Sequence, residues 1–474
     1  MIEQQVEQVR VCRVCGHLNP SDGITRCNGC WGLLSGANLV PRTDAERRSR
    51  FPRIGVWRKR HIILPAVLVL AVIIWKAITL LELTPLVFAP DGATSQINAA
   101  AGSQNWAQPR NDSRSTGFTS LQAPAPQKVK WTFSTAKPLL SSPAVVDGRV
   151  YFTTEDKRTI ALDAETGAVV WEYPLGSPSS STPVVTDDLV IFAIRPGLVV
   201  ALDRPTGTLR WERDMGDPVL ASPILANGTV YIGAADSALH ALDAATGRLR
   251  WSYPTNAWVI APASYADGIV AVASQSSIFN LVGGRTGRRQ LIFDAGRGRR
   301  IAGGAVIQGD RVYFGTRDGT VWAIDSKARI WPFERAILLI KLNLHIWGLV
   351  EAPIQKGSGW STFVGGDISR AVAVTPDSVY AGTREGRVAA LDVATGEERW
   401  VTETGFQITS SPTVAGTTVM VGTKEGKVLG LDTATGKVIW DFQTQGQITA
   451  SPVVAGDTLY LASRDGTLYA LTGP

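Results

Sequence analysis

The chain has 474 residues with 47 Lys and Arg against 41 Asp and Glu, which gives a formal net charge of +6. Residues 1–61 alone carry eleven basic and five acidic side chains, so the rest of the chain is electrically neutral. The basic character belongs to the N-terminal segment, and charge therefore gives no support for nucleic-acid binding by the remainder.

The only four cysteines of the chain stand near its start in two Cys-x-x-Cys pairs, Cys12 with Cys15 and Cys27 with Cys30. Two close pairs of thiolates match the tetrahedral sulfur ligands of a structural zinc ion and leave no open coordination position for chemistry. Residues 1–40 are therefore predicted to form a zinc ribbon in which all four cysteines bind Zn²⁺. Disulfides are the alternative, and they require an oxidising compartment.

A basic segment, residues 41–61, leads into an apolar run over residues 62–81 that only Lys76 interrupts. Twenty residues of helix extend about 30 Å, the thickness of a bilayer core, so this run is predicted to be a single transmembrane helix. The positive-inside rule then places the N-terminus in the cytoplasm and the following residues outside the cytoplasmic membrane. A cleaved signal peptide is the alternative, but its charged part would be about sixty residues long.

Residues 82–128 are rich in Ala, Ser, Gln, Asn and Pro. This composition is typical of a tether, so we expect the segment to be an extracytoplasmic tether and propeller lead-in, which connects the membrane helix to the opening turn of the exported domain. No cysteine follows Cys30, and the exported part therefore needs no disulfide.

Tryptophan recurs every 40 residues through the exported part. The series is Trp131, Trp171, Trp211, Trp251, Leu291 in place of a Trp, Trp331 and, after 69 residues, Trp400 and Trp440. Each period contains short β-rich runs separated by turn residues, including an Asp-x-x-Thr-Gly turn before most of the tryptophans. A period of this length made of strands is typical of a β-propeller.

The repeats also predict how many blades there are and how the ring closes. Eight inner-strand segments follow one another from Pro143 to Pro452, and the last unit ends at Leu471 without its Trp. A strand that carries Trp131 precedes the first unit, so the two incomplete ends complement each other. Residues 129–474 are therefore predicted to form an all-β, eight-bladed propeller in which this strand completes the last blade.

The repeats, of the form SSPxVxxGxVYxGTxDGxLYALDAxTGxxxW, resemble the PQQ-like (quinoprotein-type) propeller repeat. Quinoprotein dehydrogenases and the BamB-type outer-membrane assembly factor share this repeat, and the resemblance covers about residues 103–474. It implies that each repeat Trp packs between neighbouring blades. It also implies one of two functions, a protein-interaction module or a quinone-dependent dehydrogenase.

A dehydrogenase of this fold is expected to carry a vicinal cysteine pair over the cofactor and an acidic and amide cluster for calcium. The exported part has no cysteine, and its only histidines are His240 and His345. We therefore expect no catalytic residue and no bound PQQ, and we predict a platform for protein interaction or ligand sensing in the cell envelope. Its expected partner is an envelope or membrane protein of unknown identity. A PQQ-dependent dehydrogenase is the alternative.

One interval breaks the period, because 29 extra residues separate Trp331 from Trp400. We place them at about residues 335–369. Apolar residues alternate with polar ones from Leu338 to Ile346, which predicts a strand or hairpin. This insertion is either an extra hairpin packed on its own blade or a docking element for a partner or the membrane surface.

Four predicted hairpins carry a basic residue followed by an acid. The basic residues are Arg317, Arg384, Lys424 and Arg464. They form either a surface for an acidic partner or a solvated rim in which each acid compensates its neighbour.

Overall fold

The computed structural model describes residues 7–12, 17–28, 31, 33–35, 37–49, 70, 92–296, 298–330, 334–351 and 354–473. The chain divides into two compact units, Met1–Leu83 and Thr84–Pro474.

The N-terminal unit contains a small antiparallel sheet. Strand β1 (Gln8–Val11) pairs with β2 (Leu18–Pro20) on one side and with β3 (Leu39–Pro41) on the other, and helix α1 (Arg42–Ser49) follows directly. The predicted basic segment therefore begins with a helix.

No helix within the described ranges is long and apolar enough to cross a membrane. The predicted span, residues 62–81, lies outside those ranges except for Leu70. The membrane helix therefore stays a prediction.

In the C-terminal unit, the described residues form eight sheets, each built on four antiparallel strands. Two strands precede the first sheet along the chain, β4 (Phe118–Thr119) and β5 (Lys128–Ser134), and they join the seventh and eighth sheets. The first four sheets are β6 (Ala144–Val146), β7 (Arg149–Thr153), β8 (Arg158–Asp163) and β9 (Val169–Pro174); β10 (Val184–Val185), β11 (Leu189–Ile194), β12 (Leu198–Asp203) and β13 (Leu209–Asp214); β14 (Ile224–Ala226), β15 (Thr229–Gly233), β16 (Ala238–Asp243) and β17 (Leu249–Pro254); and β18 (Ser264–Ala266), β19 (Ile269–Ala273), β20 (Ile278–Gly283) and β21 (Arg289–Asp294).

The other four sheets follow the same plan. They are β22 (Val306–Gln308), β23 (Arg311–Gly315), β24 (Thr320–Asp325) and β25 (Ser358–Phe363); β26 (Ala373–Val374), β27 (Ser378–Gly382), β28 (Arg387–Asp392) and β29 (Glu398–Glu403); β30 (Thr413–Ala415), β31 (Thr418–Gly422), β32 (Lys427–Asp432) and β33 (Val438–Gln443); and β34 (Val453–Ala455), β35 (Thr458–Ala462) and β36 (Thr467–Thr472) with β5 as the fourth strand. Helix α2 (Glu334–Ile346) lies between β24 and β25, and β4 adds in parallel to β30.

The first three strands of each sheet are almost wholly buried, whereas the fourth exposes most of its side chains. Every residue of β15 is buried, while in β13 the buried Trp211 stands between exposed neighbours. Both faces of the inner strands are apolar because a neighbouring sheet covers each face. The hydrophobic clusters accordingly combine residues of successive sheets, such as Tyr313 of the fifth sheet with Val379 of the sixth.

The repeated tryptophans join one sheet to the next, as the resemblance implies. The indole Nε1 of Trp171 donates to the carbonyl oxygen of Arg204 in the next sheet, 2.9 Å away. Gly207, in the Asp-x-x-Thr-Gly turn of that sheet, has a φ of +73° and lies directly against the indole ring of Trp171. The turn Asp holds the same loop, because Asp203 accepts hydrogen bonds from the backbone and the hydroxyl of Thr206. The Asp and Gly residues of these turns are therefore structural.

The stretched interval lies one step earlier than predicted. Strand β25 is the outer strand of the fifth sheet, and it carries Trp360, forty residues before Trp400. Trp360 donates to the carbonyl oxygen of Val393 in the next sheet, 3.2 Å away, as Trp171 and Trp400 do to their next sheets. Trp331 lies outside the described residues. The extra residues therefore precede Ser358, and the predicted insertion at 335–369 wrongly included an outer strand.

The predicted strand or hairpin within this insertion is also wrong, because Glu334–Ile346 form helix α2. The alternation of apolar residues fitted a strand, but the run from Ile337 to Ile340 is continuously apolar and fits a helix equally well. A helix also satisfies its backbone hydrogen-bonding groups within itself, whereas a strand needs a neighbour.

The sheets share two faces defined by their connections. The hairpins between second and third strands, and the loops that enter first strands, lie on one face, here called the hairpin face. The remaining turns of each sheet, and the loop that contains α2, lie on the opposite turn face. This assignment follows from the antiparallel order of every sheet.

Residues 94–119, here called the plug, bind across the turn face. They lie within the predicted tether and propeller lead-in, residues 82–128. One residue from each of the eight sheets donates a backbone hydrogen bond to them. The donors are Val145, Val185, Leu225, Tyr265, Ile307, Val374, Val414 and Gly456. The plug therefore contacts all eight sheets.

Candidate functional site

A cavity of about 430 Å³ opens between the inner ends of the sheets, on the hairpin-face side of the plug. Its wall contains small side chains at equivalent places in successive sheets, among them Ser142, Thr182 and Ser222. Pro109, Arg110 and Ser115 of the plug line it from the turn face. The plug therefore forms the floor of the cavity.

Arginine supplies every charge in the cavity lining. The four cations are Arg110, Arg300, Arg317 and Arg370. No Asp, Glu, His or Cys stands among the described residues that line it, and the only side-chain amide there is Gln275. The cavity is therefore strongly cationic.

Arg110 lies at the floor of the cavity and is only 8% exposed. Its two Nη atoms donate to the carbonyl oxygens of Val372 and Pro412, 2.6 and 2.5 Å away. Its Nε has no hydrogen-bond partner within the described structure. Burial lowers the pKa of Arg110 to about 10, so the guanidinium remains charged at neutral pH.

Arg370 stands in the loop that enters the sixth sheet. Its side chain is accessible to solvent in the cavity although protein surrounds it, and this desolvation lowers its pKa. Arg370 also borders a second cavity of about 260 Å³, which is lined by Arg384 and Lys424 of the next hairpins. The two cavities share Ser369 and Arg370. The cationic surface therefore extends from the first cavity, between the inner ends of the sheets, along the hairpin face.

Residues 96–195, 195–336 and 384–473 match the family described as outer membrane protein assembly factor BamB. These segments make up more than half of the chain. The chain belongs to this family. No curated protein sequence matches it.

Solved structures with the same fold come from both branches of the resemblance. BamB from Moraxella catarrhalis has 18% sequence identity and a TM-score of 0.59, over 73% of this chain and 97% of that one. Quinohemoprotein alcohol dehydrogenase from Comamonas testosteroni has 14% identity and a TM-score of 0.62, over 79% of this chain and 82% of that one. A europium-containing methanol dehydrogenase has 14% identity and a TM-score of 0.62, over 78% and 98% of the respective chains. At these identities the likeness shows the β-propeller fold alone.

The cavity does not fit the calcium ion expected beside PQQ in dehydrogenases of this fold. Calcium takes six to eight oxygen ligands, mostly from carboxylates and amides. The described lining offers Gln275 as its only such side chain, and the four arginines repel a divalent cation.

The zinc prediction falls partly outside the described residues, because Cys15 and Cys30 are not among them. Cys12 and Cys27 are 2% and 1% exposed and pack together with Leu34. The Asn19 side-chain amide donates to the sulfur of Cys27, 3.5 Å away. In the described ranges there is no group of three or more residues able to ligate a metal.

The basic residues of the last four hairpins, Arg317, Arg384, Lys424 and Arg464, are here called the rim cations, and three of the acids that follow them make hydrogen bonds or ion pairs with other residues. Asp318 pairs with Arg299 at 2.9 Å, and Glu385 accepts a hydrogen bond from the backbone of Asp367 at 2.7 Å. Asp465 accepts from the Tyr469 hydroxyl at 3.0 Å. Direct pairing between each cation and the following acid is therefore not how these turns are built.

The structure also brings together a serine, a histidine and an aspartate that the spacing did not reveal. His240 Nδ1 lies 2.8 Å from the Ser252 hydroxyl, and its Nε2 lies 2.8 Å from an Asp236 carboxylate oxygen. His240 is buried at 6% exposure and Ser252 faces solvent. None of the three residues lines either cavity described above. The set resembles a nucleophile, base and orienting acid, but it has no adjoining substrate cavity among those described.

Helix α2 and the residues after it expose a large apolar surface. Ile340 and Ile346 are 61% and 71% exposed, and Trp347 and Leu349 are 72% and 66% exposed. Contiguous exposed apolar surface of this kind marks interaction sites in soluble domains. The insertion therefore presents a second candidate site, on the turn face.

Comparison of the repeats with one another would have identified one cavity residue, Arg370, from the sequence. Arg370 occupies a position held by small residues in the other seven sheets. These residues are Ser141, Ser181, Ala221, Ala261, Gly303, Ser410 and Ala450. Alignment of the repeats by their inner strands identifies the departure.

Proposed function

We propose that this chain is a non-catalytic protein-interaction platform of the cell envelope. Membership of the BamB family supports an interaction role, and the lack of carboxylates in the described cavity lining supports the absence of quinone and calcium chemistry. We further propose that residues 62–81 anchor the chain in the cytoplasmic membrane, with the N-terminus inside and the propeller outside.

We propose that the eight sheets are the blades of one closed ring. The supporting contacts join the last sheet to the first. β5 pairs with β36, and Trp131 of β5 packs in one cluster with Val150 of the first sheet and Tyr460 of the last. The hydroxyl of Ser142 donates to the carbonyl oxygen of Ser451, 3.0 Å away.

The observation that carries the interaction role is the exposed apolar surface of α2. A helix whose apolar residues lie on several sides is normally buried against protein or lipid. We therefore propose that α2 docks on an envelope or membrane protein. Outer-membrane assembly, the role in the description of the family, is one setting for such a partner.

Site-specific crosslinking tests this role. A photoreactive residue at Ile340 or Ile346 should crosslink to one partner protein in native membranes, whereas one at Ile439, on the outer strand of the seventh sheet, should not. Ile439 is 53% exposed and so is a matched control. The same crosslinks from all three positions, or none from α2, would show that α2 is not the docking element.

Excision of the insertion is a second test. Residues 328–356 are replaced by Thr-Gly, so that the chain from Asp325 to Trp360 has the length of the Asp163 to Trp171 turn. The shortened protein should fold and should lose the crosslinked partner from its pull-downs. Retention of the partner would contradict the docking role.

We also propose that Cys12, Cys15, Cys27 and Cys30 hold one structural zinc ion. The burial of Cys12 and Cys27 and the amide hydrogen bond to Cys27 support this set. Metal analysis of the full chain should give one zinc per chain and none in the Cys12→Ser/Cys27→Ser variant. One zinc in that variant would remove the site from these cysteines.

A PQQ-dependent dehydrogenase is the alternative function, and the shared fold of the two dehydrogenases favours it. Addition of PQQ and calcium to the purified protein, with a redox dye and primary alcohols, distinguishes the two. We expect no dye reduction, and reduction that depends on PQQ would overturn the non-catalytic proposal.

A further inference from the structure

The hairpin face has an uneven distribution of charge. The residue at the tip of the hairpin between second and third strands differs among the sheets. In order from the first to the eighth sheet it is Glu155, Arg195, Ala235, Gln275, Arg317, Arg384, Lys424 and Arg464. Glu155 and Arg195 form an ion pair with each other, whereas the last four positions are all basic. The basic tip residues therefore lie on one half of the face, and each is followed along the chain by an acid, Asp318, Glu385, Glu425 or Asp465.

These four cations adopt equivalent positions because their backbones are held in the same way. The backbone N–H groups of Arg317, Arg384 and Lys424 each donate to a carbonyl of the loop entering the same sheet, at 2.9 Å, and that of Arg464 does so at 3.0 Å. The acceptor for Arg317 is Arg300, whose own side chain lines the cavity. Arg300 and Arg370 thus extend the row of rim cations into the cavity.

Most of these cations lack an ion partner. Arg317 lies 3.4 Å from an Asp367 carboxylate oxygen. Across the described part of the chain, no side-chain hydrogen bond or ion pair is recorded for the other five. These are Arg300, Arg370, Arg384, Lys424 and Arg464. The guanidinium and ammonium groups of these five side chains can therefore pair with carboxylates that a ligand supplies.

Arg370 departs from its repeat in a way that folding does not require. Seven equivalent positions hold Ser, Ala or Gly, which shows that a small residue satisfies the blade there. Arg370 instead places a charged side chain in the lining of the cavity, where no ion partner is described for it. Departures from the pattern of a repeat are often found at functional sites. Arg110, with its unpartnered Nε on the floor, adds a second cation below it.

The shape of the surface favours a flexible chain as its occupant. The cavity is concave and floored by the plug, so a flat bilayer does not reach its arginines. The cations continue past its mouth over the hairpins of three further sheets, which exceeds the reach of one small anion. Guanidinium groups pair with carboxylates through two parallel hydrogen bonds. An extended segment with successive Asp or Glu residues matches both the depth and the length of this surface.

We propose that the cavity and its basic rim bind an acidic polypeptide segment of a partner protein. Carboxylates of that segment pair with Arg300, Arg317 and Arg370 at the mouth and with the hairpin cations along the rim. This inference rests on the proposed interaction function and names the chemistry of the partner. It concerns the hairpin face, whereas α2 lies on the turn face.

The test is a binding assay with the full-length protein in detergent micelles and a fluorescent octaglutamate peptide. Octaglutamate should bind, and octaglutamine should not. The affinity should fall as the ionic strength rises from about 0.01 to 0.15 M, because the Debye length shortens from roughly 30 to 8 Å. Equal binding of the two peptides would overturn the proposal.

The Arg370→Ser variant tests the site itself. It should weaken octaglutamate binding about tenfold, because it removes one charged partner from a concave site. Serine is the residue of three equivalent repeats, so the variant should keep the thermal midpoint of the wild type. The matched control is Arg285→Ser, because Arg285 is an exposed arginine in a turn-face turn. Equal losses in both variants, or no loss in Arg370→Ser, would place the peptide elsewhere.

Three competitors identify the source of the anion. Free glutarate or inorganic phosphate should displace octaglutamate poorly, and a single-stranded oligonucleotide should bind no tighter than octaglutamate. Strong displacement by glutarate or phosphate would instead assign the cavity to a small anion. Tighter oligonucleotide binding that Arg370→Ser abolishes would instead assign it to phosphate backbones.

The outcomes for the two faces are separable. An Ile340→Asp/Ile346→Asp variant should lose the crosslinked partner of α2 and bind octaglutamate normally. Normal octaglutamate binding together with no α2 partner would refute only the docking role of α2. A crosslinked α2 partner together with no octaglutamate binding would refute only the acidic-segment proposal.

Discussion

The indole Nε1 of Trp131 donates a hydrogen bond to the carbonyl oxygen of Ala164, 2.9 Å away. Trp131 belongs to the outer strand of the last sheet, and Ala164 begins a turn of the first sheet. This hydrogen bond therefore connects the eighth sheet to the first sheet.

Replacement of Trp131 by Ala should destabilise the propeller by about 3–5 kcal/mol, because it removes a buried indole and leaves a cavity between two sheets. Trp131 is 8% exposed, whereas Trp258 is 53% exposed. The Trp258→Ala variant is the control and should change stability by about 0.5 kcal/mol or less. Thermal midpoints and denaturant unfolding measure both. Similar losses in the two variants would mean that the Trp131 strand does not hold the last sheet to the first.

Gly207→Ala should destabilise more than Gly148→Ala. The two glycines have nearly equal positive φ angles, +73° and +71°, so both substitutions carry the left-handed penalty of about 1–2 kcal/mol. A Cβ on Gly207 would lie 2.6 Å from the Trp171 ring, while one on Gly148 meets no atom within 4 Å. The clash should add roughly 1–3 kcal/mol to the first variant alone. Equal thermal midpoints would show that the turn does not pack on the indole as described.

The propeller should lose stability as the pH falls below about 4, the ordinary pKa of Asp. Burial raises the pKa of Asp243, but hydrogen bonds from Thr94 and Thr246 outweigh it and hold the pKa below its usual value. Because the folded-state pKa lies below the unfolded one, the stabilisation is complete above the unfolded pKa and is lost as the pH falls through the folded one.

The Asp243→Asn variant tests this directly. It should cost about 1–2 kcal/mol at neutral pH and reduce the fall in thermal midpoint between pH 5 and pH 3 relative to wild type. Asp187 is an exposed control for which no hydrogen bond or ion pair is recorded in the described ranges, and Asp187→Asn should leave the pH profile unchanged. An Asp243→Asn profile parallel to the wild type would exclude Asp243 as a source of acid sensitivity.

Ser252 should not behave as a catalytic nucleophile. Its hydroxyl contacts His240, which in turn contacts Asp236, but nothing described beside it supplies a substrate cavity. A fluorophosphonate probe should therefore leave the protein unlabelled, and Ser252→Ala should give the same result. Labelling that disappears in Ser252→Ala would identify a hydrolase site on the third sheet.

The repeating parts of the fold were predictable because each repeat encodes its own turns. The Asp-x-x-Thr-Gly turn and the Trp eight residues after its Asp recur, so the order of strands within a repeat followed from spacing, and the packing of each Trp between sheets followed from the family resemblance. The pairing of β5 with β36 followed from counting incomplete units.

The irregular parts were predicted poorly, and for physical reasons. The run from Ile337 to Ile346 is compatible with both helical and strand periodicity, and only the lack of a pairing strand decides between them. Trp360 could have been identified from its distance of forty residues to Trp400, but the regular spacing from Leu291 to Trp331 concealed it. The cavity is formed by loops whose residues differ among the repeats. A consensus sequence of the repeats therefore does not contain residues such as Arg370, which occur in one repeat only.

The plug links the start of the sheet-forming region to its eighth sheet. Its residues are synthesised before all eight sheets, yet their hydrogen-bond partners extend to Gly456 in the eighth sheet. Early sheets can form as the chain emerges, but the segment that contacts all of them has its full set of partners only when the eighth sheet exists. A chain that stops short would leave both the plug and the edge of the last complete sheet unpaired and open to aggregation or proteolysis. The hydrogen bonds that hold the plug beneath the cavity therefore reach their full number only after the eighth sheet has formed.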